Sequence, residues 1–262
     1  MPEQTIPLPA DVRYFTPAGP FRLECGAAIP LRIAYHTYGT FTGDNALWVC
    51  HALTANSEVA DWWPHTVEAG KFLDPARWFT VCANIVGSCY GTTGPASPDP
   101  ATGKPYYGAF PPVTVRDMAR ANLLLADHLG IAHARAVIGS SIGGFQALEM
   151  ALERPGFARK LILIATAARA QPWTIAADAA QRISCLTGRG TGKQCQIPIA
   201  IGRFDRHLLD LGWLQNLCIR DRIMPCVVIH VNKKHFCPHR KMLQRAEVTR
   251  IVMSRDYQVI CI

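Results

Sequence analysis

Five consecutive residues, Gly139-Ser140-Ser141-Ile142-Gly143, set a serine between glycines in the pattern Gly-x-Ser-x-Gly. An apolar run, Ala134 to Gly139, leads in, and a stretch of helical composition, Ile142 to Arg154, leads out. Strand, sharp turn and helix is the context that lifts a serine hydroxyl clear of the sheet. The glycines let strand and helix approach. The helix N-terminus then turns its free N–H groups and positive dipole end towards the serine. Ser141 is therefore the expected nucleophile, and the chemistry it suits is acyl transfer through an acyl-serine. The developing oxyanion needs two N–H donors. Ile142, the residue after the nucleophile, supplies one backbone N–H. The other is expected from the loop after an earlier strand. His51-Ala52-Leu53-Thr54 follows an apolar run that ends at Cys50, and the backbone N–H of Leu53 is the candidate. His51 and Thr54 themselves read as loop-packing and capping residues.

The elements that must position these groups alternate along the chain. Leu31 to Tyr38, Ala46 to His51, Trp78 to Asn84, Ala134 to Gly139 and Lys160 to Ala165 read as strands, the later ones as short buried runs. A helix is predicted from Thr114, with Asp117 at the reciprocal position of a capping box and Gly130 as its stop. A second runs from Ile142 to Arg154, stopped by Pro155-Gly156, and Trp173 to Arg182 is helical in composition. Asp61 to His65 and Gly70 to Pro75 read as loops and short turns. Gly87 to Pro112, rich in Gly, Pro, Ser and Thr, reads as a long irregular excursion. The class is α/β, an α/β-hydrolase-like, mostly parallel sheet flanked by helices and incomplete at its C-terminal side.

The 262 residues are 49% hydrophobic and 18% charged, which excludes a disordered chain. No apolar run is long enough to cross a bilayer. The start, Met-Pro-Glu-Gln-Thr, has no basic region followed by an apolar stretch, so a cytoplasmic home is expected. The net charge of +8 is unevenly placed. Residues 1–182 hold 14 basic and 14 acidic side chains, whereas residues 183–262 hold 13 basic and 5 acidic ones. Cysteine follows the same split, with Cys25, Cys50, Cys82 and Cys89 in the first part and six in the last 80 residues. The first group reads mainly as small core hydrophobes, and a disulfide framework is not expected.

Several segments taken together resemble the homoserine O-acetyltransferase family. They are His51-Ala-Leu-Thr54, Asp61-Trp-Trp63, Asn84-Ile-Val-Gly-Ser-Cys-Tyr-Gly-Thr-Thr-Gly-Pro95, Thr114-Val-Arg-Asp117 and Gly139-Ser-Ser-Ile-Gly-Gly144. Their order and spacing match over most of residues 10–182, and Pro172-Trp173 with Ala179 to Arg182 resembles the family's approach to its lid. The Gly87 to Pro95 segment separates this family from generic esterases. The resemblance implies ping-pong transfer of an acetyl group from acetyl-CoA to the hydroxyl of L-homoserine, a step of methionine biosynthesis. It implies no cofactor beyond acetyl-CoA as substrate and a homodimer in the intact family, while the charge split, the lack of a bilayer-length apolar run and the His/Cys spacing lead to the expectation of no nucleic acid, no membrane and no metal. Alternatives are homoserine or serine O-succinyl transfer, and a catalytically dead hydrolase-fold binding protein.

The resemblance stops at about Arg182. The chain thus divides into residues 1–182, the N-terminal part of an α/β-hydrolase domain, and residues 183–262, a basic, Cys-rich tail expected to be poorly ordered. A slip of reading frame near Arg182 accounts for the jump in both basic residues and cysteine. The family's Asp and His partners of Ser141 follow the serine in chain order. No Asp–His pair in the tail is selected by spacing, so none is assigned and both are expected to be missing. Little or no transferase activity, a bare sheet edge and a tendency to aggregate are the consequences expected. His230, His235, Cys237 and His239 lie within ten residues, but their spacing matches no standard zinc site. Lys233-Lys234 and Arg240-Lys241 read as a solvated basic tail.

Overall fold

The computed structural model describes residues 11–167, the single positions Pro172, Ile175, Ala176 and Ala179, and the backbone of Cys226–His230. Nine strands and three α-helices are found among these residues. The centre is formed by short apolar runs that bury both faces, as parallel strands must. β5 (Ala46–Cys50) lies parallel to β6 (Phe79–Ala83) on one side and to β7 (Ala136–Ser140) on the other, with Trp48 opposite both Val81 and Val137. β8 (Lys160–Ile164) continues the parallel set beyond β7. Towards the start of the chain the sheet turns antiparallel. β4 (Ile33–Tyr38) pairs with β6, and β1 (Arg13–Phe15) pairs with β4. β9 (Cys226–His230) closes the other side, antiparallel to β8. The order is β1-β4-β6-β5-β7-β8-β9. A separate small hairpin joins β2 (Phe21–Arg22) to β3 (Ala28–Ile29).

β9 coincides with the apolar run that starts at Cys226. The bare edge expected from the sequence is therefore not met at β8. Its backbone N–H and C=O groups find partners in a Val- and Ile-rich segment of the tail. Between β8 and β9 the described residues supply no further strand, so the fold is incomplete towards its C-terminal side. The helix expected over 173–182 lies mostly outside the described residues, as does the rest of the tail with His235, Cys237 and His239. Ile175, Ala176 and Ala179 are helical, as is the neighbouring Pro172.

Two helices cover one face. α2 (Val115–His128) starts on Thr114, whose hydroxyl accepts from the Asp117 N–H while the Asp117 carboxylate accepts from the Thr114 N–H. That is the capping box read from the sequence. α3 (Ile142–Glu153) packs against α2 and against the sheet. Met118, Leu125, Ala147 and Met150 are wholly or almost wholly buried there with Trp48 and Phe157. A buried polar chain ties the sheet to both helices. Trp48 Nε1 donates to Asn122, and Asn122 Nδ2 donates to Met118 O and to Gln146 Oε1. On the other face Leu47, Val49, Leu73 and Ile138 form a smaller core beside Trp62 and Trp63. Part of the expected loop there is a single helical turn, α1 (Val59–Trp62).

The chain leaves β5 for β6 on one side, then returns across to β7 on the other. In an open parallel sheet this reversal opens a crevice at the carboxyl ends of the two diverging strands. Residues 51–54 and Ser141 both lie at that place.

Candidate active site

The backbone of Ser141 sits at φ 53°, ψ −120°. This is left-handed territory, which costs a non-glycine residue about 1–3 kcal/mol and persists only when its surroundings impose it. The imposing contacts are visible. The Ser141 N–H donates to Ile164 O at 3.0 Å, and its carbonyl accepts from the Gly144 N–H at 3.0 Å and from the Thr166 hydroxyl at 2.8 Å. Ser141 occupies the N-cap position of α3, yet its side chain makes no capping bond, and the residue is exposed. Among the described residues the hydroxyl thus has no capping partner, and it stands at the positive end of a 12-residue helix.

Two glycines make the turn feasible. A Cβ on Gly139 would come within 2.2 Å of Gly143 O, so a side chain there would separate strand from helix. A Cβ on Gly143 would come within 2.0 Å of Cys50 O and 2.8 Å of His51 O. The second contact joins the elbow to the 51–54 loop, because the start of α3 rests directly on the backbone from which that loop departs. Cys50 also lies opposite Gly139 in the sheet register. Ile142 is buried at the first turn of α3, and Leu53 is half-buried against the main core. The structure therefore brings Ser141, Ile142 and the segment carrying Leu53 to one end of the sheet. Thr54 is exposed.

His51 is wholly buried and holds this loop in place. Its Nδ1 lies 2.8 Å from Ala52 O, which can only accept, so Nδ1 carries the proton. Its Nε2 accepts from the Ile85 N–H at 3.3 Å. The ring thus bridges the ends of β5 and β6. Burial pushes its pKa down to about 4, against a small opposing effect of the Ala52 carbonyl. Ala52 O also accepts from the Ala55 N–H, which closes the turn containing Leu53 and Thr54. With both nitrogens committed, His51 serves the loop as packing, in line with the sequence reading.

The long segment after β6 is anchored along its length. Thr92 Oγ1 accepts from the Ala34 N–H and donates to Asn84 O, while Thr93 Oγ1 accepts from the Arg32 N–H and donates to Pro30 O. These two threonines extend the hydrogen bonding of β4 and are buried. The Asp61-Trp62-Trp63 segment is held by a bond from Trp62 Nε1 to Asn56 O, with the two indoles stacked.

A serine–histidine–carboxylate set lies apart from Ser141. Asn84 Nδ2 donates to Ser57 Oγ, which faces His36 Nδ1 at 2.8 Å. His36 Nε2 lies 3.2 Å from Glu58, which also accepts from the Tyr38 hydroxyl. Burial, then Glu58, raises the Tyr38 pKa. Ser57 is wholly buried, so substrate has no access and the set acts as a structural network. Sequence reading found none of these residues, because nothing in their spacing signals the contact.

The five histidines of residues 11–167 all have partners away from Ser141. His36 and His51 are committed as described, His65 pairs with Glu68, His128 stacks on Phe15, and His133 meets Arg159. Residues 142–167 contain neither Asp nor His. Any base for Ser141 in the expected chain order would come from beyond residue 167, where the one histidine with a described backbone, His230, pairs with Lys160 at the opposite end of β8 from Ser141. Among the described residues no group of three or more His, Cys, Asp or Glu could hold a metal ion, and no helix is long and apolar enough to cross a membrane.

Comparison with known proteins agrees with the geometry. The alpha/beta hydrolase fold family model matches residues 45–188. The homoserine O-acetyltransferase of Natronomonas pharaonis is 45% identical over 183 residues, which cover 64% of this chain and 46% of that protein. Among solved structures, homoserine O-acetyltransferase from Bacillus anthracis superposes with a TM-score of 0.62 at 29% identity, covering 66% of this chain and 51% of that one. A crystallised esterase gives 0.64 at 28% identity, covering 68% and 53%. The chain spans about half the length of the curated relatives it matches. It belongs to the alpha/beta hydrolase fold family and, over close to two thirds of its length, matches the homoserine O-acetyltransferases within that family.

Proposed function

We propose that Ser141 is the nucleophile of an O-acetyl transfer from acetyl-CoA to L-homoserine. Its hydroxyl oxygen attacks the thioester carbon, and the charge on the carbonyl oxygen is held by the backbone N–H groups of Ile142 and Leu53. The C–S bond breaks, CoA leaves as the thiol with the serine proton, and an acetyl-serine remains. The side-chain hydroxyl of homoserine then attacks that ester, gives its proton back to Ser141 and leaves as O-acetylhomoserine. Splitting one transfer into two removes the need to bring both substrates together at once.

The observation that carries this reading is the strained Ser141 turn packed, through Gly143, on the backbone at Cys50 and His51. The similarity to homoserine O-acetyltransferases supports the donor and acceptor. The setting proposed is the cytoplasm. No Asp–His pair after Ser141 is selected by its spacing, so acylation by this chain is proposed to be slow, on the order of 10⁴-fold below a site with its base in place. Incubation with acetyl-CoA followed by intact-mass analysis tests the proposal. One acetyl group should appear on the wild-type chain and not on Ser141→Ala, and homoserine should discharge it. An adduct that survives Ser141→Ala refutes the assignment. Discharge by water at the same rate as with homoserine replaces transfer with ester hydrolysis.

A further inference from the structure

Both backbone polar groups of Ser141 are held from the end of one neighbouring strand. Its N–H is bonded to Ile164, the last residue of β8, and its carbonyl is bonded to the hydroxyl of Thr166, two residues later. Between them stands Ala165, which is itself left-handed at φ 48°. Two non-glycine residues with positive φ thus face each other at the tips of adjacent parallel strands, Ser140 lying opposite Ile164. The turn at Ala165 swings Thr166 back across the elbow. Its side chain then rests on Gly144, where an added Cβ would lie 2.3 Å from Thr166 Cγ2 and 2.6 Å from its Oγ1. The second glycine of Gly143-Gly144 therefore makes room for this threonine.

We infer that Thr166 is a positioning residue for Ser141, acting through its hydroxyl bond to the Ser141 carbonyl. The inference rests on the reading of Ser141 as nucleophile. The same peptide unit carries the Ser141 carbonyl and the Ile142 N–H. A bond that fixes the carbonyl therefore fixes the direction of the proposed oxyanion donor. The partners of this carbonyl within α3, the Gly144 N–H among them, approach it from the helix side. The threonine adds one from outside the helix, at an angle that fixes the plane of the peptide. A peptide plane turned by a few tens of degrees would carry the N–H away from the oxyanion, and alignment of that kind decides how much such a donor contributes.

Ser141-Ile142 is the only Ser-Ile pair in the chain. Labelling serine carbonyls with carbon-13 and isoleucine amides with nitrogen-15 therefore gives one cross-peak from this peptide. In Thr166→Val, which keeps the shape and removes the hydroxyl, the carbonyl resonance should move upfield. In Thr166→Ser it should stay near the wild-type position. Thr166→Ala serves in place of the valine variant if that one does not fold. The rate constant for acetylation by saturating acetyl-CoA should fall about tenfold in the valine variant, the loss of one net hydrogen bond with its alignment. The half-saturating concentration should be unchanged. An unmoved cross-peak in the valine or alanine variant, or equal movement in the serine variant, overturns the inference. If the wild-type chain takes up no acetyl group, the nucleophile reading fails, and the cross-peak still decides the role of Thr166.

Discussion

The carbonyl oxygen of Cys50 lies 2.0 Å from the point where a Cβ on Gly143 would stand. The first turn of α3 thus rests on the end of β5, with no space for a methyl group. Replacing Gly143 by alanine must push the helix start away from the strand that carries the 51–54 loop. Overpacking against backbone of this kind costs about 3 kcal/mol. Urea unfolding of Gly143→Ala should show that loss, and any Ser141 acylation should drop with it. A variant of wild-type stability would mean that the elbow and the loop are not in contact.

His51 makes stability depend on pH. Its pKa in the folded chain is about 4, below the ordinary 6.5, so the unfolded chain takes up this proton first as pH falls. The contribution is fully present above about pH 6.5 and is lost as pH falls towards 4. Below that both states are protonated and no more is lost. The total is on the order of 3 kcal/mol. His51→Phe should flatten that part of the stability–pH curve. It should also lose about 2 kcal/mol at pH 7, because the buried Ile85 N–H is left without an acceptor.

Asp117 holds two segments with one carboxylate. Oδ2 accepts from the Thr114 N–H and Oδ1 from the Glu24 N–H, both at 2.9 Å, and the residue is wholly buried. Asparagine keeps one acceptor and turns an amide N–H against the other donor. Asp117→Asn should cost about 2 kcal/mol in thermal or urea unfolding. Its effect on Ser141 acylation, measured at a temperature where the variant is folded, should be small.

Ser57 separates geometry from access. It has the serine–histidine–carboxylate arrangement, whereas Ser141 has the exposed hydroxyl. Ser57→Ala should leave acetylation by acetyl-CoA in place. It should destabilise the chain by about 1–3 kcal/mol, since Asn84 and His36 lose a buried partner. Loss of the acetyl adduct in a folded Ser57→Ala chain would move the nucleophile from Ser141 to Ser57.

What was legible in the sequence was local. The elbow, α2 with its capping box, α3 and the buried strands follow from periodicity, glycines and caps within a few residues of one another. β1 and the β2–β3 hairpin were too short to show alternation. Three contacts at the site could not be read at all: His51 with Ile85, Thr166 with Ser141, and Ser57 with His36. Each joins residues 21 to 34 positions apart that meet only once the sheet has formed. The 84–95 segment marks the family in sequence, but what its Thr92 and Thr93 hydroxyls do could not be read there. These hydroxyls bond β4 and the residues beside it.

The most direct measurement is the mass of the intact chain after exposure to acetyl-CoA, run beside Ser141→Ala. The account expects a single, slowly formed acetyl group that maps to the peptide containing Ser141 and is absent from the alanine variant. A wild-type chain that stays unmodified through prolonged incubation, or an acetyl group found on both chains alike, would contradict it.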